Sequence, residues 1–184
     1  MKKILMFVVV LVAFSTLFAQ SGKLHMTPKV GIGFAFSAWN MIGIEAGFDV
    51  SYRVLEIKKK PGMGLYVGGE IDFTAWPPIS SLWGIGANFD IPILGTVRFQ
   101  IPVGKVFITP FVQTGVAVVF WTPDSSVTGS TGGASAGFAF NMGAEFVFNK
   151  KFVLRPHLDF IGSGWAATSH PAAFMVDFGY RIAK

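Results

Sequence analysis

Apolar and polar residues alternate with a period of two along most of the chain. In the segment 41–55, for example, Ile42 and Ile44 fall on one face while Glu45 and Asp49 fall on the other. Such alternation predicts β-strands that carry one apolar face and one polar face. Eight segments show the pattern: 30–37, 41–55, 63–75, 83–101, 106–121, 136–148, 152–161 and 172–182.

The length and the number of these segments favour a β-barrel. Most exceed the roughly five or six residues of a strand in a globular protein, and they suit the ~9–11 residues with which a tilted strand crosses a bilayer. Pro92, Pro110 and Pro156 lack the amide hydrogen that a strand ladder needs, so we expect a bulge or a local break near each. The pattern therefore predicts an all-β fold, an eight-stranded antiparallel up-and-down barrel.

Two classes of barrel fit this pattern, and they differ in which face points outward. A soluble, lipocalin-like barrel turns its apolar face inward, whereas a membrane barrel turns it toward lipid. Eight of the ten acidic residues and all four arginines lie on the polar faces, which are otherwise rich in small residues rather than in the Lys and Glu of a soluble surface. We therefore predict a transmembrane barrel with a charged interior. The predicted interior network consists of Glu45, Asp49, Arg53, Glu70, Asp72, Asp90, Arg98, Glu145, Arg155, His157, Asp159, Asp177 and Arg181.

The links between the predicted strands differ at the two ends of the barrel. Those after strands two, four and six are short and basic, and Lys23, Lys29 and Lys184 near the termini fall at the same end. The other links hold no lysine, and the five tryptophans lie in them or at their borders, as expected of side chains at a membrane–water interface. Short turns on the periplasmic side and longer loops outside are typical of outer-membrane barrels, so we predict periplasmic termini. The predicted interface aromatics are Trp39, Trp76, Trp83, Trp121 and Trp165.

Residues 1–19 predict a secretory signal peptide. Lys2 and Lys3 precede an apolar run that is shorter than the ~20 residues of a spanning helix, and Ala19 supplies a small residue before the cleavage point. The mature chain, 20–184, is then a single domain that is exported toward the outer membrane.

Composition removes several other classes of protein. Charged residues make up 14% of the chain and the mean hydropathy is +0.55, whereas an ordinary soluble domain is about 25% charged. The absence of cysteine excludes a disulfide scaffold, a thiol nucleophile and a Cys-ligated metal. The pI of about 9.6 does not indicate nucleic-acid binding, because the arginines lie in an acidic interior and the lysines of the mature chain lie at one rim.

Three segments carry a resemblance to a known family: 109–117 (TPFVQTGVA), 140–146 (FNMGAEF) and 178–181 (FGYR). With the strand layout of the whole mature chain, they resemble the small outer-membrane β-barrel family that includes the OmpA, OmpX and OmpW transmembrane domains. The resemblance implies contact with membrane lipids, insertion by the outer-membrane assembly machinery and, for an OmpW-like member, a small hydrophobic ligand. Family members often end on an aromatic residue, whereas this chain ends Ile182-Ala183-Lys184.

Two histidines are candidates for catalysis. His157 and Asp159 share the inner face of predicted strand seven, a spacing that orients an imidazole in some hydrolases. Ser169 and His170 in the last outer link are the nearest counterpart to the Ser and His of lipid-modifying barrels such as PagL and PagP, which this chain resembles in size. We interpret both histidines as structural, because no motif fixes a serine beside His157. We predict no catalytic residue, cofactor or metal signature.

The predicted interior is acidic, since eight acids face four arginines. Buried charges are normally paired, so we expect an Arg–carboxylate network that fills the barrel. The excess of acids implies protonated carboxyls, bound water or a captured cation, and a narrow cation path is the alternative to a filled interior.

The predicted function is that of an outer-membrane barrel with a structural or surface-binding role, to which the polar link 122–135 could contribute. The first alternative is passage or binding of small hydrophobic molecules, with the Trp- and Pro-rich segment 75–83 as a candidate entry site. A lipid-modifying enzyme and a soluble periplasmic ligand-binding barrel are further alternatives. The length argues against a general porin, which needs roughly 16–18 strands.

Overall fold

The computed structural model describes residues 24–36, 42–77, 85–123, 132–163 and 172–183, and within these ranges the regular structure is entirely β. The predicted signal peptide, Trp39, Trp83, Trp165 and the pair Ser169-His170 lie outside the described residues. Among the described residues, no helix has the length and apolar character that a membrane crossing requires. The strands are β1 (Leu24–Ala35), β2 (Ile42–Glu56), β3 (Gly64–Trp76), β4 (Ile85–Val103), β5 (Val106–Pro123), β6 (Gly133–Phe148), β7 (Phe152–Ser163), β8 (Ala172–Tyr180) and β9 (Ile182–Ala183).

The strands form a closed antiparallel barrel. Each strand pairs with its neighbours in the sequence, and β1 also pairs with β8 from Lys29 opposite Gly179 to Ala35 opposite Ala173. The two-residue β9 pairs with β1 in the same register, so it continues β8 beyond a break at Arg181. The prediction of eight strands in an up-and-down barrel is therefore confirmed.

Two of the predicted strand boundaries are wrong at the N-terminal side. The first strand begins at Leu24 rather than at residue 30, and the sixth begins at Gly133 rather than at residue 136. In the first strand, Pro28 and Lys29 make the apolar–polar alternation hard to recognise before residue 30. The strand nevertheless extends to Leu24, which pairs with Tyr52 of β2. The added residues place Lys29 within the wall of the barrel instead of at its rim.

The three prolines interrupt strand pairing without changing its register. The β3–β4 ladder skips the pairs around Pro92, the β4–β5 ladder those around Pro110, and the β6–β7 ladder those around Pro156. Two pairs are missing at each proline, and the ladder then resumes in the same register, as expected where a ladder hydrogen bond is missing. The two register shifts in the described strands lie elsewhere, between Arg53 and Leu55 of β2 and between Ile85 and Asn88 of β4.

The turns at one end are short, as predicted. Gly104 and Lys105 alone connect β4 to β5, and Gly104 adopts a φ of 60°, which glycine tolerates without steric cost. The β6–β7 turn uses Asn149 and Lys150 with φ values of 51° and 63°, typical of a tight hairpin connection.

The apolar face of the barrel points outward, which confirms the choice between the two classes of barrel. Large apolar side chains along every long strand are exposed, among them Phe34 (50%), Val116 (56%) and Phe178 (57%). The opposite face is buried inside the barrel and carries most of the charged residues. This arrangement inverts that of a soluble protein and brings the candidate functional groups together in the interior.

Candidate functional site inside the barrel

Two arginines near the short-turn end share one carboxylate. Arg98 contacts both oxygens of Asp49, and its Nη1 also lies 2.8 Å from Oε1 of Glu145. Arg181 reaches the other oxygen of Glu145 at 2.7 Å and donates to Gln100 Oε1 at 2.9 Å. A planar guanidinium suits such paired contacts, and these ion pairs span strands that are not neighbours in the sheet.

A second bidentate pair lies in the middle of the barrel. Arg155 donates to both carboxylate oxygens of Glu70, at 2.6 and 3.0 Å, and to Gln113 Oε1 at 2.7 Å. Gln113 in turn donates to Glu70 and to Thr96, each at 2.7 Å. The Arg155 guanidinium also stacks over Phe111, with 4.2 Å between Cζ and the ring centroid. Three hydrogen bonds, two from Arg155 and one from Gln113, therefore fix the orientation of Glu70.

Lys29 is the centre of the remaining carboxylates, contrary to its predicted place at the rim. Its Nζ contacts Glu45 and lies 3.0 Å from Glu70, 2.9 Å from Asp72 and 2.9 Å from Asp177. The residue is 5% exposed. Because β1 begins at Leu24, Lys29 falls on the inward face, and among the described residues the interior holds five lysines and arginines rather than the four arginines predicted.

A histidine and two acids meet beside this lysine. His157 Nε2 lies 3.0 Å from Asp159 Oδ1, and His157 Nδ1 lies 3.7 Å from Asp177 Oδ2 and 3.2 Å from the carbonyl oxygen of Arg155. Glu45, His157 and Asp159 each offer one ligand atom, and these atoms lie within 4.8 Å of one another. The His157 side chain is fully buried, whereas that of Asp159 is 12% exposed.

An apolar layer lies in the interior toward the end opposite the short turns. One group comprises Ala35, Trp76, Ala173 and Met175, and a second comprises Leu94, Ala117, Val119, Ala139 and Ile161. Trp76 was predicted as an interface aromatic, and that prediction is wrong. Its side chain is buried in the interior, where Nε1 donates to Asp90 Oδ2 at 2.7 Å. Among the described tryptophans, Trp121 also falls on the inward side of its strand and is half-buried.

Comparison with known proteins identifies this architecture. No protein-family model and no curated protein sequence matches the chain. The N-terminal β-barrel domain of Pseudomonas aeruginosa OprF superimposes with a TM-score of 0.55 at 10% identity, over 86% of this chain and 97% of that domain. Neisserial surface protein A gives a TM-score of 0.54 at 12% identity, over 89% of this chain and 98% of that protein.

The chain has the fold of the small outer-membrane barrels. At these identities the likeness establishes the fold alone, so the role of the interior must be argued from the interior itself.

One predicted interior residue, Arg53, lies at the edge of the charged region. It is near the short turns, where its Nη1 pairs with Glu56 at 3.3 Å and its side chain is 18% exposed. The predicted network omitted Lys29, which links Glu70 to three other carboxylates, and Gln100 and Gln113, which hydrogen-bond to Arg181 and Arg155. All three occupy inward positions of their strands. Strand phase indicates this for Gln100 and Gln113, and it would have done so for Lys29 had this residue been assigned to β1.

Proposed function

We propose that the chain is an integral outer-membrane protein with a structural or surface-binding role, and that its interior does not conduct solutes. The outward apolar belt carries the first part of this proposal. A contiguous apolar surface larger than a few hundred Å² marks a binding or membrane surface, and here it surrounds the barrel. Lipid is the partner that covers such a belt on all sides, and the assembly machinery of the outer membrane is the partner that would insert it.

The paired charges and the apolar layer support a closed interior. Arg98, Arg155 and Lys29 reach across the barrel to carboxylates on other strands, and Trp76 and Met175 pack above them. A barrel of eight strands leaves room for side chains and little else. Solutes would have to displace buried ion pairs, which is costly because each separated charge would remain in a poorly solvated interior.

Two measurements test this proposal. The protein should fractionate with outer membranes and require detergent for extraction; recovery as a soluble monomer would refute the membrane assignment. In planar bilayers the wild-type protein should show no stepwise conductance. An Arg98→Ala/Arg155→Ala variant that folds and conducts would identify the ion pairs as the seal, whereas a conducting wild type would contradict a closed interior.

We also propose that the protein is not a lipid-modifying enzyme. His157 and Asp159 lie inside the barrel, and the His157 side chain is out of contact with solvent. Although His157 lines a groove in the wall, its imidazole is fully buried, so a lipid substrate in that groove would have no open path to it. His157→Ala and His170→Ala should leave the membrane lipid profile of an expressing strain unchanged, and a changed profile in either variant would overturn this assignment.

One surface feature favours binding of small hydrophobic molecules as a second candidate function. Where Pro156 interrupts the β6–β7 ladder, a groove of about 410 Å³ lies in the wall. Met142→Trp should fill this groove and reduce saturable binding of a fluorescent fatty acid, whereas Val116→Trp, outside it, should not. Equal binding in both variants would exclude the groove as the site. Its lining residues are Phe111, Val112, Met142, Gly143, Pro156, His157, Leu158 and Phe174.

A further inference from the structure

We propose that Glu45, His157 and Asp159 bind a divalent transition-metal ion of the zinc class inside the barrel. β2 supplies the first residue and β7 the other two, so closure of the barrel assembles the site. Their three ligand atoms lie within 4.8 Å of one another. An imidazole nitrogen with carboxylate oxygens is a donor set that zinc accepts, whereas magnesium and calcium prefer oxygen alone. This site does not depend on whether the barrel conducts or on its role in the membrane.

The hydrogen bonds of His157 leave one ring nitrogen for the ion. Nδ1 lies 3.2 Å from the carbonyl oxygen of Arg155, and a carbonyl oxygen can only accept, so Nδ1 carries the proton. In the neutral ring the lone pair is then on Nε2. Metal-bound histidines commonly donate their other N–H to a backbone carbonyl in this way, which fixes the tautomer and the ring orientation.

The short distance between Nε2 and Asp159 is the second argument for a metal ion. The two atoms are 3.0 Å apart, and neither has another hydrogen-bond partner among the described residues. In the neutral ring, two lone pairs at this distance repel each other unless a positive charge, either a metal ion or a proton, lies between them. Ligand atoms at ~2.0–2.1 Å from a tetrahedral zinc are about 3.3 Å apart, close to the separation observed here.

The charge around the site also favours a cation. The interior carries more acids than basic residues, and Asp177 approaches the same imidazole at 3.7 Å from Nδ1. Lys29 already contacts Glu45 and Asp177, so one positive charge is shared among several carboxylates. Asp159 is the ligand whose side chain reaches solvent, which provides a route for the ion into the site.

Metal binding to the refolded full-length protein in detergent tests the proposal. Zn²⁺ titrated calorimetrically should bind with a stoichiometry of one, and Co²⁺ should give a visible absorption spectrum with a nitrogen ligand. His157→Gln and Asp159→Asn should each weaken Zn²⁺ binding by at least about tenfold, since loss of an outer-shell partner alone costs that much. His25→Gln is the matched control, because His25 is an interior histidine that stacks on Tyr66 near the start of β1, away from the proposed ligands.

Each result decides for or against the site. Wild-type protein that binds no Zn²⁺ would overturn the proposal without any variant, and would leave a proton shared by His157 and Asp159 as the explanation of their contact. Zn²⁺ binding that persists in folded His157→Gln and is lost in His25→Gln would place the metal elsewhere. An equal concentration of Mg²⁺ should not displace Zn²⁺, and displacement would contradict a site built on imidazole.

Discussion

Lys29 of β1 and Asp72 of β3 form a 2.9 Å ion pair across the intervening strand β2, because the residue between them is Gly47. A Cβ atom at position 47 would overlap Asp72 Oδ1 and lie 3.0 Å from Lys29 Cε. Glycine therefore opens the space through which two side chains from non-adjacent strands meet.

Gly47→Ala should lower the free energy of unfolding by about 1–3 kcal/mol, the usual cost of overpacking a well-filled interior. Urea unfolding of the protein in detergent, followed by the heat-dependent shift in gel mobility, measures this change. Gly95→Ala is the matched control, because its Cβ would meet only Thr114 O at 3.7 Å on the outer face. Equal stability of the two variants would show that Lys29 and Asp72 do not require the gap.

Lys29→Met should destabilise the barrel by about 3–5 kcal/mol, because it removes the cation from four buried carboxylates, of which, among the described residues, only Glu70 also pairs with an arginine. The same change at Lys105, exposed in the β4–β5 turn, should cost little. Guanidinium titrations of both variants make the comparison. A Lys29→Met protein as stable as Lys105→Met would refute a central role for this lysine.

Trp76 should be shielded from lipid although it was expected at the interface. In a variant that keeps Trp76 and replaces Trp39, Trp83, Trp121 and Trp165 with phenylalanine, brominated lipids should quench fluorescence weakly. A tryptophan introduced at the outward position Val116 in a tryptophan-free protein should be quenched strongly. Similar quenching at the two positions would mean that Trp76 does not lie in the interior.

The membrane assignment predicts that the cost of a charge depends on depth. Val116 lies midway along β5 and Val103 lies beside the β4–β5 turn, and they are 56% and 51% exposed. Val116→Arg should destabilise the protein in lipid bilayers by roughly 2–4 kcal/mol and Val103→Arg by about 0–1 kcal/mol. Equal stability of the two variants in a bilayer would contradict a membrane position in which Val116 faces the lipid interior and Val103 lies near its edge.

The alternation of apolar and polar residues was sufficient to predict the barrel, because the side chains of a strand point alternately to its two faces. Glu45, Asp49 and Glu70 are accordingly buried on the inward face. Trp76 shows where a general preference failed. It shares the inward phase of Glu70 and Asp72, and strand phase outweighs the tendency of tryptophan to lie at interfaces.

Contacts between side chains on non-adjacent strands could not be predicted from the sequence. Arg98 meets Glu145 and Glu45 approaches His157 because of how far the strands are staggered around the barrel. That stagger depends on register and tilt together, and no local pattern in one strand specifies it. Lys29 could have been placed by extending the alternation backward from Gly31, but its four partners could not.

The pairing of β1 with β8 joins the first described strand to the last long one. Synthesis of seven strands yields a sheet with two unpaired edges, and such edges invite association with other chains. Lys29 cannot meet Asp177 until β8 has been made, so this ion pair and the last ladder form in the same event. The nascent protein must therefore be kept from aggregating until its final strand is available, and its maturation should be all-or-none rather than hairpin by hairpin.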